Sequence, residues 1–141
     1  MGNSDRDVLL VESSPDEMSS FIDSLEEINA SIHMVTNGDE ALDFIHQRGD
    51  HADSPRPDLI LLDLNLPGTS GNEILKEMKD TPELHRIPVL VLTATIEAEK
   101  TARSYDLHAN AHIKKPADKA EADTITEALE KFWLKVAHLP P

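Results

Sequence analysis

Residues 57–68 read Pro-Asp-Leu-Ile-Leu-Leu-Asp-Leu-Asn-Leu-Pro-Gly. Within this stretch, Leu59–Leu62 is an unbroken apolar run between two aspartates, which is typical of a strand buried on both faces of a parallel sheet. Two runs of the same form are Val8–Val11 and Val89–Leu92, and two weaker ones are Ile32–Val35 and Ala111–Ile113. The sequence therefore predicts five short strands.

Helical patterns lie between these runs. Apolar residues recur at helical spacing after Met18, with Ser14 as the predicted N-cap, and two more helices are predicted to begin after Asn37 and Ser70. A fourth helix, poor in apolar residues, is predicted over about 96–107. The fifth carries one apolar stripe, made of Ala122, Ile125, Leu129, Phe132, Trp133 and Val136. This fivefold alternation predicts an α/β fold whose parallel sheet is covered by helices on both faces.

The amino-acid composition excludes several classes of protein. The chain has 141 residues, 27 acidic and 13 basic side chains, a formal net charge of -14 and no cysteine. A disulfide framework and a cysteine nucleophile are therefore excluded, and the length suits one domain. No apolar run approaches the roughly 20 residues of a membrane span, and the first residues lack a secretory signal. We expect a soluble, cytoplasmic protein that binds neither nucleic acid nor membranes, because both surfaces repel its charge.

Polar residues follow the predicted strands at the points where the strands end. Glu12 and Ser13 follow the first strand, Asp63 the third, Thr93 the fourth and Lys115 the fifth. Sites in open α/β sheets form at the carboxyl ends of the strands, near the point where the strand order reverses. The sequence thus predicts a site that combines carboxylates, a hydroxyl and an ammonium group.

The chain resembles the receiver domains of two-component response regulators. Four segments have the order and spacing of that family: Val8–Glu12, Asp58–Gly71, Pro88–Ala94 and Ala109–Pro116. The resemblance extends from about Asp7 to Trp133. It implies a doubly wound (βα)5, flavodoxin-like three-layer sandwich with a five-stranded parallel sheet in the order 2-1-3-4-5. The implied division is a receiver domain over 7–136, between an N-terminal tail, 1–6, and a C-terminal tail, 137–141.

More narrowly, the chain looks like the small stand-alone receivers that partner phytochrome-type histidine kinases. The features that indicate this subgroup are the long loop Ala52–Asp58, the stretch Asp63–Pro67 and the Phe132-Trp133 pair. The resemblance implies a sensor histidine kinase as partner, and signalling to a downstream protein by direct contact. Phe132 and Trp133 are either core residues of the last helix or the edge of a homodimer contact.

The resemblance also implies a role for each residue at the strand ends. Asp63 matches the phosphoacceptor, Glu12 an acidic residue of the magnesium pocket, and Asn65 the position whose backbone carbonyl binds Mg²⁺. Thr93 matches the hydroxyl that bonds the phosphoryl oxygen and acts as a switch. Lys115 matches the lysine that pairs with the aspartate or its phosphate.

Two positions depart from the family pattern. Ser13 stands where a second acidic magnesium ligand is usual, which predicts a weakened Mg²⁺ pocket, because a neutral hydroxyl replaces a charge. Asp16 is either a substitute ligand or, as we favour, a residue that caps the helix. His112 stands at the aromatic switch position, where it either swings inward or lies exposed on the signalling face.

The leading hypothesis is a stand-alone receiver that accepts a phosphoryl group from a histidine kinase on Asp63. Such a protein is not an enzyme beyond slow hydrolysis of its own acyl phosphate. The alternative, which Ser13 favours, is an interaction module that has lost phosphorylation. A phosphatase of the haloacid dehalogenase type also uses a strand-end aspartate, but it needs a second aspartate where this chain has Asn65.

Overall fold

The computed structural model describes residues 6–28, 30–64, 66–93 and 111–131. All five predicted strands are present: β1 (Asp7–Val11), β2 (Ser31–Val35), β3 (Leu59–Asp63), β4 (Val89–Thr93) and β5 (Ala111–Lys114). The helices in this part of the chain are α1 (Ser19–Glu26), α2 (Gly38–His46), α3 (Gly71–Asp80) and α4 (Lys119–Leu129). Two short 3-10 turns are Pro15–Met18 and Gly49–His51. The helix predicted over 96–107 lies outside the described residues.

The strands form a single sheet in the order β2-β1-β3-β4-β5, and every neighbouring pair is parallel. This confirms the predicted order. The chain runs from β1 outward to β2 and then returns to β3 on the other side of β1, so the strand order reverses between β1 and β3. A crevice forms at such a reversal, outside the carboxyl ends of the strands.

The two faces of the sheet bury two separate apolar cores, because successive side chains of a strand point to opposite faces. Leu9 and Val11 of β1 belong to the core under α2 and α3, whereas Val8 and Leu10 belong to the core under α1 and α4. The three-layer sandwich is therefore confirmed. Of the predicted C-terminal stripe, Ala122 and Leu129 are buried and Ile125 packs against the core. Phe132, Trp133 and Val136 lie outside the described part of the chain.

Local signals predicted two of three helix starts correctly. The Asn37 side chain accepts from the backbone N–H of Glu40 at 2.8 Å, and Ser70 forms a reciprocal capping box with Glu73. Ser14 occupies the N-cap position of the 3-10 turn Pro15–Met18, but its side chain makes no capping hydrogen bond, and α1 begins only at Ser19. The backbone N–H of Ser14 donates to the Glu12 carboxylate, two residues earlier in the chain.

The segment that follows α2, residues 49–57, is largely exposed but is held to α2. The His51 ring contacts the Phe44 ring in a tilted arrangement with centroids 5.2 Å apart, and its Nε2 lies 3.1 Å from Glu40 Oε2. The Gln47 amide donates to the carbonyl of Ser54 at 2.7 Å. These contacts order the loop against its own helix.

Within the described residues, no helix has both the length and the apolar character that crossing a bilayer requires. The predicted division into a tail, a receiver domain over 7–136 and a second tail stays a prediction, because residues 1–5 and 132–141 are not described.

Candidate functional site

Three charged side chains meet at the carboxyl edge of the sheet because strand periodicity places them on one face. Glu12 follows β1, Asp63 ends β3 and Lys115 follows β5. Each lies two residues beyond a side chain that belongs to, or packs on, the core under α1 and α4: Leu10, Leu61 and Ile113. Since the side-chain period of a strand is two, all three continue the same face where the apolar strands end.

The Lys115 ammonium group lies between the two carboxylates. Its Nζ donates to Asp63 Oδ2 at 3.0 Å and to Glu12 Oε2 at 3.3 Å, and it lies 3.1 Å from Glu12 Oε1. The predicted pairing of Lys115 with Asp63 is therefore present. The additional contact with Glu12 was not predicted.

The site is largely withdrawn from water. The side chain of Glu12 is 1% exposed, that of Asp63 7% and that of Lys115 21%. Glu12 is held from a second direction by the backbone N–H of Ser14, which donates to its Oε2 at 3.0 Å. A hydrogen bond to the charged form of a buried carboxylate offsets part of its desolvation cost.

Burial and neighbouring charges shift the pKa values of Glu12 and Lys115. Burial raises the pKa of Glu12, and the nearby charge of Asp63 raises it further, against the opposing effects of the Ser14 N–H and Lys115. Burial alone would lower the pKa of Lys115, but hydrogen bonds and charge attraction from Asp63 and Glu12 outweigh it, and the pKa is raised. Lys115 is consequently a fixed positive charge at neutral pH.

The donor set fits a hard divalent cation. Two buried carboxylates converge, and buried Glu12 Oε1 accepts no hydrogen bond, its charged neighbour being the Lys115 ammonium at 3.1 Å. Mg²⁺ takes oxygen ligands and commonly uses one or two carboxylates together with waters. Among the residues described, no three histidine or acidic side chains are grouped so that they could hold a metal ion. Glu12 and Asp63 would therefore be the acidic ligands, with water completing the shell.

The other predicted site residues are only partly described. Thr93 ends β4 opposite Lys114, and His112 lies in β5 opposite Val91, but their side chains, like the whole of Asn65, lie outside the described structure. Ser13 forms the bend directly after β1, next to Glu12. Lys114, the last residue of β5, is exposed.

Sequence reasoning missed two further sets of contacts near the site. Glu12 is shared between Lys115 and the Ser14 amide, as described above. The loop after Asp63 contacts the start of α2 through Gly38 and Asp39. For Glu12 a signal existed, because its spacing from the apolar residues of β1 places it on the face that Asp63 and Lys115 share. For the contact with α2, the only signal in the sequence is Gly38. Glycine also occurs at many positions where no such contact is made, so this signal is not specific.

The chain matches the response regulator receiver domain family over residues 8–130. Response regulator Rcp1 of Synechocystis is 40% identical over 113 residues, which cover 80% of this chain and 77% of that protein. The crystal structure of the Mn²⁺-bound form of Rcp1 superposes with a TM-score of 0.83 at 37% identity, covering 96% of this chain and 99% of the other. The phosphorylated cyanobacterial phytochrome response regulator RcpA gives a TM-score of 0.85 at 39% identity, with the same coverage.

This chain therefore belongs to the receiver domain family of response regulators. Members of this family are signalling proteins of two-component phosphorelays. The fold, the match over 8–130 and the arrangement of Glu12, Asp63 and Lys115 agree with that assignment.

Proposed function

We propose that this protein is a stand-alone receiver that accepts a phosphoryl group on Asp63 from the phosphohistidine of a sensor histidine kinase. The observation that carries the proposal is the position of Asp63: a nearly buried carboxylate at the end of β3, held by an ammonium group at 3.0 Å. Glu12 shares the contact with Lys115, but its side chain is the more deeply buried of the two, at 1% exposed against 7% for Asp63.

The transfer requires one bond to form and one to break. A carboxylate oxygen of Asp63 forms a bond to phosphorus while the phosphorus–nitrogen bond of the phosphohistidine breaks, and its electron pair stays on the imidazole nitrogen. Lys115 would then pair with the phosphoryl oxygens, since its ammonium already lies at hydrogen-bond distance from Asp63. A divalent cation held by Glu12, Asp63 and the backbone carbonyl of Asn65 would supply charge neutralisation for the incoming group.

Ser13 makes that pocket weaker than one with three acidic side chains. Its hydroxyl is neutral, so the pocket carries two negative charges and the positive charge of Lys115. At a separation of about 5 Å and an effective dielectric constant of about 20, an additional carboxylate would contribute roughly 3 kcal/mol of attraction to a unit positive charge before screening. We therefore expect Mg²⁺ to bind, but with reduced affinity.

Thr93 and His112 are the proposed switch residues, which would respond to the phosphoryl group and alter the surface that a partner contacts. The resemblance to RcpA supports a phytochrome-like histidine kinase as the partner. The signal would pass to a downstream protein by contact, and a homodimer is one arrangement that this contact can take.

Phosphorylation can be tested with acetyl phosphate, with and without Mg²⁺, by rapid intact-mass measurement. We expect a labile adduct of one phosphoryl group that requires both Mg²⁺ and Asp63, and that disappears in Asp63→Asn. Asp58→Asn is the matched control, since Asp58 precedes the amino end of the same strand, where it accepts from the backbone N–H of Asp7 at 2.8 Å. An adduct that persists in Asp63→Asn would contradict the proposal.

The second candidate is an interaction module that works without phosphorylation, which Ser13 favours. It predicts no adduct in the wild type and no effect of Asp63→Asn on partner binding or oligomeric state. Ser13→Asp separates the two candidates: a reaction that appears only in this variant would favour the module, whereas a reaction in both would support the receiver.

A further inference from the structure

The strand β2 leaves one edge of the sheet open. It is the outermost strand, and in the described sheet it pairs with β1 alone. The backbone N–H of Ser31 donates to the carbonyl of Arg6 at 3.0 Å, so the backbone groups of Ser31 face β1. Successive residues of a strand direct their backbone groups to opposite sides, and those of Ile32 and Met34 therefore point to the open edge.

The side chains of β2 do not protect this edge. Among the residues that the structure describes, Met34 is the one large apolar side chain that is exposed, at 45%. It lies on the same face as Ile32, which packs against the core under α1 and α4. Natural edge strands are commonly protected by charged side chains, particularly lysine, or by proline. The strand β2 has neither, whereas β5 at the opposite edge ends in the exposed Lys114.

The open edge is also uncharged in a strongly acidic protein. Residues 28–38 form the longest stretch of the sequence without Asp, Glu, Lys or Arg, in a chain of formal net charge -14. In the neighbouring strand, the Asp7 carboxylate is paired with His33, whose Nε2 lies 3.0 Å away. Two copies of an acidic chain repel each other where their charged surfaces meet. An uncharged surface is therefore the one that a second copy can approach, whereas a basic partner would gain no attraction there.

We propose that the open edge of β2 binds a second copy of this chain, by antiparallel pairing of the two β2 strands about a twofold axis. Pairing over all five residues places Ile32 opposite Met34 of the second copy, and Met34 opposite Ile32 of the second copy. The outward N–H and carbonyl groups of both residues then meet partners, and the exposed Met34 packs against an apolar side chain. His33, at the centre, lies opposite its own copy.

This interface is self-complementary, so it closes after two copies and joins the two sheets into one. No residue of the Asp63 site takes part in it. Dimerisation at this edge therefore needs neither a metal ion nor a phosphoryl group, and it goes beyond the proposed function.

The first test is sedimentation velocity of the unphosphorylated protein at about 0.5 mM, since one short strand buries less area than a typical stable interface. We expect a monomer–dimer equilibrium. The dimer fraction should rise at least about twofold between about 0.05 M and 0.5 M NaCl, because salt screens the repulsion between the two copies.

Variants with one added lysine identify the surface. Met34→Lys should weaken dimerisation at least about tenfold, because it places a charge on the edge and removes the apolar contact. Ala52→Lys makes the same change in net charge at an exposed residue of the loop after α2, and it should not weaken dimerisation.

The register is tested by disulfide formation, to which a chain without cysteine is well suited. In the proposed register, the two cysteines of His33→Cys lie directly opposite, with Cα atoms about 4.5 Å apart, within the range that a disulfide spans. The cysteines of Ser31→Cys would be about 13 Å apart along the strands, which is too far. We expect oxidation to yield a cross-linked dimer of His33→Cys and none of Ser31→Cys.

Three results would overturn the proposal. A wild-type chain that stays monomeric at both salt concentrations would do so, and would leave the edge open to a strand of a different protein. A dimer that Met34→Lys leaves intact would have to use another surface. Equal cross-linking of His33→Cys and Ser31→Cys would contradict the antiparallel register. None of these results bears on the phosphorylation of Asp63, which acetyl phosphate tests separately.

Discussion

Lys115 is the residue on which the charge balance of the site depends. Its ammonium is within hydrogen-bond distance of both Glu12 and Asp63, and these two carboxylates are more deeply buried than the lysine. Two buried like charges repel each other, and each also loses its hydration. The ammonium offsets both effects in the absence of metal.

Lys115→Met should consequently lower the free energy of unfolding by about 3 kcal/mol in a metal-free buffer, because the change leaves two buried carboxylates without their cation. Saturating Mg²⁺ should restore part of that loss, since a ligand that binds only the folded state stabilises it. Urea unfolding, with a chelator and then with Mg²⁺, measures both effects. Lys114→Met is the control: Lys114 is exposed, and we expect a change within about 0.5 kcal/mol. Equal losses in the two variants would contradict this account.

At the scale of elements, the contact between α1 and α4 combines an apolar core with a polar cluster. Ser24 is buried, and its hydroxyl donates to Asp123 Oδ1 at 2.5 Å. The Lys119 ammonium donates to both Ser24 Oγ and Asp123 Oδ1 at 2.9 Å. The hydrogen bond from Ser24, followed by that from Lys119, lowers the pKa of Asp123. The cluster fixes how α4 lies on α1.

Asp123→Asn should reduce stability at neutral pH and have little effect in acid. A carboxyl group whose pKa is lowered by folding binds fewer protons in the folded than in the unfolded state, so its contribution is complete above the ordinary value of 3.8. That contribution is lost as the pH falls from this value through the lowered pKa. Urea midpoints measured from about pH 6 to pH 3 should converge for the two proteins. A difference that stays constant, or widens in acid, would show that the charge of Asp123 is not what stabilises the contact.

At the scale of the whole molecule, a formal net charge of -14 is carried by a 141-residue chain. Much of this charge is exposed, including Glu17, Asp23 and Glu26 near or on α1. Excess charge of one sign destabilises a compact state through self-repulsion, which salt screens. The buried group of Glu12, Asp63 and Lys115 is screened much less, because it is withdrawn from solvent.

Raising NaCl from about 0.05 M to 0.5 M should therefore raise the thermal midpoint, as the screening length falls from above 10 Å to a few ångströms. A variant with Glu17→Gln, Asp23→Asn and Glu26→Gln should be more stable than the wild type at low salt and should respond less to added salt. Differential scanning calorimetry at the two salt concentrations measures both effects. A wild-type midpoint that falls with salt would mean that attractive ion pairs outweigh the net repulsion.

The pattern of apolar runs by itself determined the fold class and the five strands, whereas their order and the phosphoacceptor candidate came from the resemblance to the receiver family. The strands are predictable because three of them are buried on both faces and leave apolar runs that few other structures explain. The caps at Asn37 and Ser70 are predictable because each bonds within its own first turn. These signals are local, so the residues that interact are also close in sequence.

Only the tertiary structure decided how the site is held together. Lys115 meets Glu12 across 103 positions, Ser24 meets Asp123 across 99, and Thr69 meets Asp39 across 30. Such contacts satisfy charges and backbone groups that become buried only when the sheet assembles, and burial is what makes leaving them unpaired costly. No local sequence pattern predicts these contacts, because the two partners come close together only in the folded chain.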